Sequence, residues 1–193
     1  MSREIFKKTG LPELNEAYRK VLYWFFSFPA KECSLSDLAR LTKLSKSTAH
    51  TIVKQLSKEG FLRIDEIGKV WRISCNQEHH YNRTKKVAYN LELISAAGIV
   101  EVVLKNVENP QAIIAFGSYR KGDDTESSDI DIAVETLDDK EIQISDLGTI
   151  PVLGYRSKVT VRMLTFCRKK IDINLFTNIA NGIVLFGLLE ARP

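Results

Sequence analysis

Two aspartates one residue apart, Asp129 and Asp131, lie in the run Ser128-Asp-Ile-Asp-Ile-Ala-Val134, where polar and apolar residues alternate. Alternation with a period of two marks a strand, and side chains two apart on a strand share a face. Asp129 and Asp131 therefore emerge together, while Ile130 and Ile132 point towards a core. Two carboxylates held side by side repel unless something positive lies between them. Hard oxygens at that spacing suit Mg2+ or Mn2+, with phosphate oxygens and water completing the shell. Upstream, the apolar run Ala112 to Phe116 ends at Gly117-Ser118. Glycine lets a backbone approach a phosphate closely, and the Ser118 hydroxyl and nearby N–H groups can then donate to it. The chemistry these residues suggest is the metal-assisted handling of a phosphate.

The combination of Gly117-Ser118 with Ser128-Asp129-x-Asp131 resembles the DNA polymerase beta-like nucleotidyltransferases, in particular the minimal members of that superfamily, over roughly the last 90 residues. The resemblance implies Asp129 and Asp131 as catalytic metal ligands. It also implies a nucleoside triphosphate held at Gly117, Ser118 and Ser128, whose nucleotidyl group passes to a hydroxyl. Catalytic members of the superfamily add a third carboxylate from a later strand. The strand candidate here, residues 158–166, contains no Asp or Glu; the position falls on Thr160 or Arg162, and an arginine there favours phosphate over metal. Glu135 shares the face of the pair but lies roughly 13 Å beyond Asp131 at strand rise. Only two of the three acids of a two-metal site are thus in view. The reading requires the aspartyl pair and the Gly-Ser corner to converge. Corners placed on opposite sides of the molecule would sink this reading of a pocket for a metal-bound triphosphate, and so would a lysine or arginine already bonded into the gap.

The elements ahead of this site form a different kind of module. Pro12 to Phe28 reads as a helix, ended by Pro29. A short second helix, residues 34–41, has Ser34 or Ser36 as its cap, and Ser45 caps a third through Glu59, stopped by Gly60. Ala49, Ile52, Val53 and Leu56 share one face of that third helix. Residues 61–66 and 69–74 then form a hairpin around Ile67-Gly68. Three helices and a hairpin resemble the winged helix-turn-helix of transcription regulators, with the third helix as the recognition helix. The resemblance places Lys46, Ser47, Thr48, His50, Thr51 and Lys54 in the major groove of double-stranded DNA, and Lys69 and Arg72 of the wing against phosphates.

Between the modules, His79 to Asn106 is proline-free and apolar at helical spacing, giving one long helix or two that abut at Gly98. Lys85 and Lys86 read as a solvated face, and His79-His80 as a helix start. After Val134 the acidic run to Asp146 reads as turn and loop; residues 151–166 supply one or two strands, and a helix ending at Asn181-Gly182 leads into a closing strand, Ile183 to Phe186. The expected fold is α/β in the α+β sense. A winged helix-turn-helix spans residues 1–78, linking helices 79–108, and a nucleotidyltransferase domain with a mixed sheet flanked by helices 109–193.

Charge follows the same division. Residues 1–80 hold 14 Lys/Arg against 9 Asp/Glu, and residues 111–193 hold 10 against 12. A basic first part is compatible with nucleic acid. Hydrophobic content of 44% with 27% charged residues is that of a soluble globular chain, and no apolar run reaches bilayer-crossing length. The first residues lack the apolar core of a signal peptide. Cys33, Cys75 and Cys167 are scattered and odd in number, as expected of reduced, buried thiols in a cytoplasmic protein. Three functions compete: a nucleotidyltransferase; a regulator whose nucleotidyltransferase domain is degenerate and senses a nucleotide or dimerises; and an antitoxin-like partner of a helical toxin. Winged-helix regulators commonly dimerise through helices beside the wing, so a homodimer is expected.

Overall fold

The structure is a computed structural model and describes residues 15–138 and 141–190. The expected first turn at Pro12 lies outside the described residues. Helix α1 (Glu16–Ser27) starts from Asn15, whose side chain accepts from the Ala17 N–H. Strand β1 (Cys33–Ser34) leads into α2 (Leu35–Thr42), capped by Ser34. Ser45 caps α3 (Lys46–Lys58) by accepting from the Thr48 N–H. Such caps satisfy N–H groups that the first helical turn leaves unpaired. Strands β2 (Leu62–Ile67) and β3 (Val70–Cys75) pair antiparallel around Gly68-Lys69, and β1 adds to β3. Val21, Phe25, Phe26, Leu38, Val53 and Phe61 fill the core of this domain.

A 3-10 turn follows at His80–Asn82, with His79 as its cap. Then come α4 (Lys85–Ala96) and α5 (Ile99–Asn106), which bend by 50° at the Gly98 break. The α4 helix serves both cores: Tyr89 packs into the first, and Ile94 packs with Ile99 and Val103 into the second.

The second core surrounds a five-stranded mixed sheet. Its members are β4 (Ala112–Phe116), β5 (Ile130–Glu135), β6 (Gln143–Leu153), β7 (Arg156–Phe166) and β8 (Ile183–Gly187), in the order β6-β7-β5-β4-β8. Only β5 and β7 run parallel; the other pairs are antiparallel. Helix α6 (Gly117–Lys121) follows β4, and α7 (Ile173–Ala180) precedes β8. Ile130, Ile132 and Val134 face α4, α5 and α6, whereas Ala133, Leu164 and Phe166 face α7. The period-two pattern of β5 therefore turns Asp131 to the α7 side.

Strand β6 corrects the expectation of a loop as far as Asp146: pairing with β7 already begins at Gln143. As an edge strand, exposed along most of its length, it lacks the apolar alternation that identifies a strand from sequence. No single helix is long and apolar enough to cross a membrane. The three cysteines are free; Cys75 and Cys167 are buried as expected, but Cys33 is only half-buried, and desolvation pushes the Cys33 thiol up to about 12 and the Cys75 thiol up to about 11.

Candidate nucleotide and DNA sites

The corner is set by strand register. Phe116, the last residue of β4, lies directly opposite Asp131 on β5, and the chain turns into α6 at the next residue. Gly117 has φ +70, and a Cβ placed there would lie 2.3 Å from Asp131 Oδ2. Both the left-handed backbone and the carboxylate require glycine. The Gly-Ser corner and Asp131 therefore meet. Ser118 is half-buried in the first turn of α6, and its hydroxyl makes no hydrogen bond among the described residues. Ser128 is engaged otherwise: its Oγ accepts from the Thr125 N–H at 2.9 Å and staples the loop between the two motifs.

Of the two residues expected at the third-acid position, Thr160 and Arg162, it is Arg162 that stands beside Asp131. On parallel β7 this residue is the register partner of Asp131, and its Nη2 lies 2.8 Å from Asp129 Oδ2. Beyond it, Asp146 of β6 is the partner of Arg162, so an acid–arginine–acid row crosses three strands. Glu135 is buried in a two-bond fork with Arg168, at 2.8 and 3.0 Å. Asp172 caps α7. No group of three or more His, Cys, Asp or Glu among the described residues is placed to hold a metal.

The donor set does not suit a pair of divalent ions. A +2 ion and a guanidinium roughly 5 Å apart repel by about 2 kcal/mol in water and by about 7 kcal/mol at an effective dielectric near 20, and the further acid of the row, Asp146, lies on the far side of Arg162 from Asp131. Burial raises the pKa of Asp131; Arg162 opposes the shift, and the charge on Asp129 adds to it.

Two sets of cations went unrecognised in the sequence. Arg120 and Lys121, at the end of α6, line a cleft of about 540 Å³ together with Arg83 and Gly182. None of these three cations is in an ion pair among the described residues. The signal was the adjacency of Arg120-Lys121 to the Gly-Ser motif. The second set is buried. Lys86, expected on a solvated face, is only 1% exposed and lies 3.2 Å from Asp124 Oδ1. Arg156 also bonds to the Asp124 carboxylate. Its Nε donates to the Ser27 carbonyl at 3.0 Å and its Nη1 to the Tyr119 hydroxyl at 2.8 Å. Asn90 donates to Asp124 at 2.8 Å. One acid thus ties the loop between the motifs to α4, to the β6–β7 hairpin and, through Arg156, to the end of α1.

On α3, Ala49, Ile52, Val53 and Leu56 are buried. Lys46, Ser47, Thr51 and Lys54 are exposed, with Thr48 and His50 half-buried. Thr48 and Ser47 share the cap cluster with Ser45, at 2.8 and 2.9 Å. The His50 ring stacks on Trp71 of β3 at 4.8 Å, and Lys54 lies 6.0 Å from the same ring, so the helix is braced on the hairpin through a tryptophan not singled out beforehand. Lys69 is exposed at the hairpin tip, whereas Arg72 bonds Asp65 at 3.3 Å and lies 3.6 Å from Glu32.

Residues 99–188 match the Polbeta family, described as polymerase beta, nucleotidyltransferase, and residues 29–66 match the IclR helix-turn-helix domain. No curated protein and no solved structure matches the chain. The nucleotidyltransferase match implies a nucleoside triphosphate and, as its usual companion, a divalent metal; the helix-turn-helix implies DNA. The chain thus carries an IclR-type helix-turn-helix domain at residues 29–66 and a Polbeta nucleotidyltransferase domain at residues 99–188.

Proposed function

We propose that the protein is a DNA-binding regulator whose nucleotidyltransferase-fold domain binds a nucleotide without transferring it. The observation that carries this reading is Arg162, which stands beside Asp131 where catalysis needs a third acid and forms an ion pair with Asp129. Phosphate binding keeps its support: Gly117 packs against Asp131, the Ser118 hydroxyl is unpaired among the described residues, and Lys121 follows within the same short helix. Among the described residues, Asp129 and Asp131 are the only candidate ligands at the corner for a Mg2+ or Mn2+ ion, and Asp129 is already paired with Arg162. Operator contact falls to the exposed residues of α3, with Lys69 adding a phosphate contact. Such contacts release counterions and make binding salt-dependent.

The test is a titration of the full chain with a duplex from upstream of its own coding region, with each of the four nucleoside triphosphates in turn. Binding is expected to weaken with salt and to shift with one of the nucleotides. Lys54→Ala is expected to weaken it across sequences and to lower the salt slope by about one. Incorporation of α-labelled nucleotide into DNA, RNA, a small molecule or protein would overturn the non-catalytic part and favour a transferase.

A further inference from the structure

Once the third acid is an arginine, the question at the corner is what neutralises the phosphates. Two-metal sites use divalent ions held by three carboxylates. Here one carboxylate, Asp129, already has its countercharge from a side chain, and the Arg162 side chain is 58% exposed. Guanidinium is a five-donor fork, and the contact with Asp129 is its only ion pair among the described residues. The remaining N–H groups are available to phosphate oxygens. The fixed register across β5, β7 and β6 places the arginine beside Asp131, the residue against which Gly117 packs. Arginine matches phosphate in charge and in planar two-bond geometry.

We propose that Arg162 takes the place of the divalent ions at this corner, so that nucleoside triphosphate binds there without Mg2+ or Mn2+. The inference rests on the reading that a nucleotide occupies the Gly117-Ser118 corner, and goes further in naming the group that holds its phosphates. Phosphate oxygens bond the free edge of the guanidinium, the Ser118 hydroxyl donates to the same phosphates, and Asp129 holds the arginine in position. A metal ion approaching Asp129 would first have to displace Arg162.

The experiment titrates the full-length protein with ATP, GTP, CTP and UTP, each in EDTA and again in excess Mg2+, for the wild type and for Arg162→Ala, Arg162→Lys and Arg162→Asp. Whichever nucleotide binds the wild type should do so with affinities within about threefold in the two conditions. Arg162→Ala should lose roughly tenfold or more in EDTA, as expected for removal of a charge-assisted two-bond contact. Arg162→Lys should recover part of that loss. Arg162→Asp supplies a third carboxylate and should bind only when Mg2+ is present. Because Arg162 is exposed, unchanged melting curves serve as the folding control. Wild-type binding that requires Mg2+ keeps the nucleotide reading and overturns this inference, as does Arg162→Ala binding normally in EDTA. If no triphosphate binds the wild type in either condition, the nucleotide reading itself fails and the inference with it.

Discussion

Two aspartates of the same loop, Asp124 and Asp129, each meet an arginine of β7, and the two pairs have opposite characters. Asp124 is fully buried and is bonded by Arg156, Lys86 and Asn90. Asp129 is a quarter exposed and has one arginine contact, to a side chain more than half in water. A buried pair pays a desolvation cost that only dense hydrogen bonding offsets, and it is ruinous to break. An exposed pair contributes little to stability and leaves the arginine's remaining N–H groups open to a ligand. The first pair is therefore suited to hold the two domains together, and the second to bind.

The largest expected effect comes from the sealed pair. Asp124→Ala leaves Arg156 and Lys86 buried without their acid, and unfolding in denaturant should show a loss of about 3–5 kcal/mol. Lys86→Met should be much milder. Burial already pushes the Lys86 pKa down, so removing that cation relieves a penalty while Asp124 keeps Arg156 and Asn90. Equal losses in the two variants would mean that Lys86 matters to the seam as much as Asp124 does.

Gly117→Ala comes next. A positive φ is strained for alanine, and its Cβ would press on Asp131, so a loss of about 1–3 kcal/mol is expected. No nucleotide binding should survive that cannot tolerate a displaced Asp131. Arg162→Ala, by contrast, should change stability by less than about 1 kcal/mol. A cost approaching that of Asp124→Ala would erase the distinction between the two pairs.

The division between what could be read from the sequence and what could not follows the same physics. Caps such as Ser45 and the meeting of Gly117 with Asp131 follow short-range patterns, and the structure has both. Which of Thr160 and Arg162 stands beside Asp131 was not local: it depended on the parallel register of β7 against β5, which no residue of β7 announces. Lys86 misled for a similar reason. A lysine beside another lysine reads as solvated, and its partner Asp124 lies 38 positions away. The start of β6 was hidden because an edge strand with one neighbour needs no apolar face.

The smallest effect separates the pairs by pH. Burial raises the folded-state pKa of Asp131 above its unfolded value, against the pull of Arg162. Between those two values the folded chain binds more protons than the unfolded one, so stability falls as pH rises through the folded pKa. Above that window the charged Asp131 is a net cost; below the unfolded value, near 4, the cost is absent. Asp131→Asn should therefore melt slightly higher than wild type at neutral pH, and the gain should vanish as the pH drops below about 4. A gain that persists in acid would assign the effect to packing against Gly117 rather than to charge. A loss at neutral pH would mean that Arg162 draws stability from Asp131 as well as from Asp129, making the exposed pair more like the sealed one.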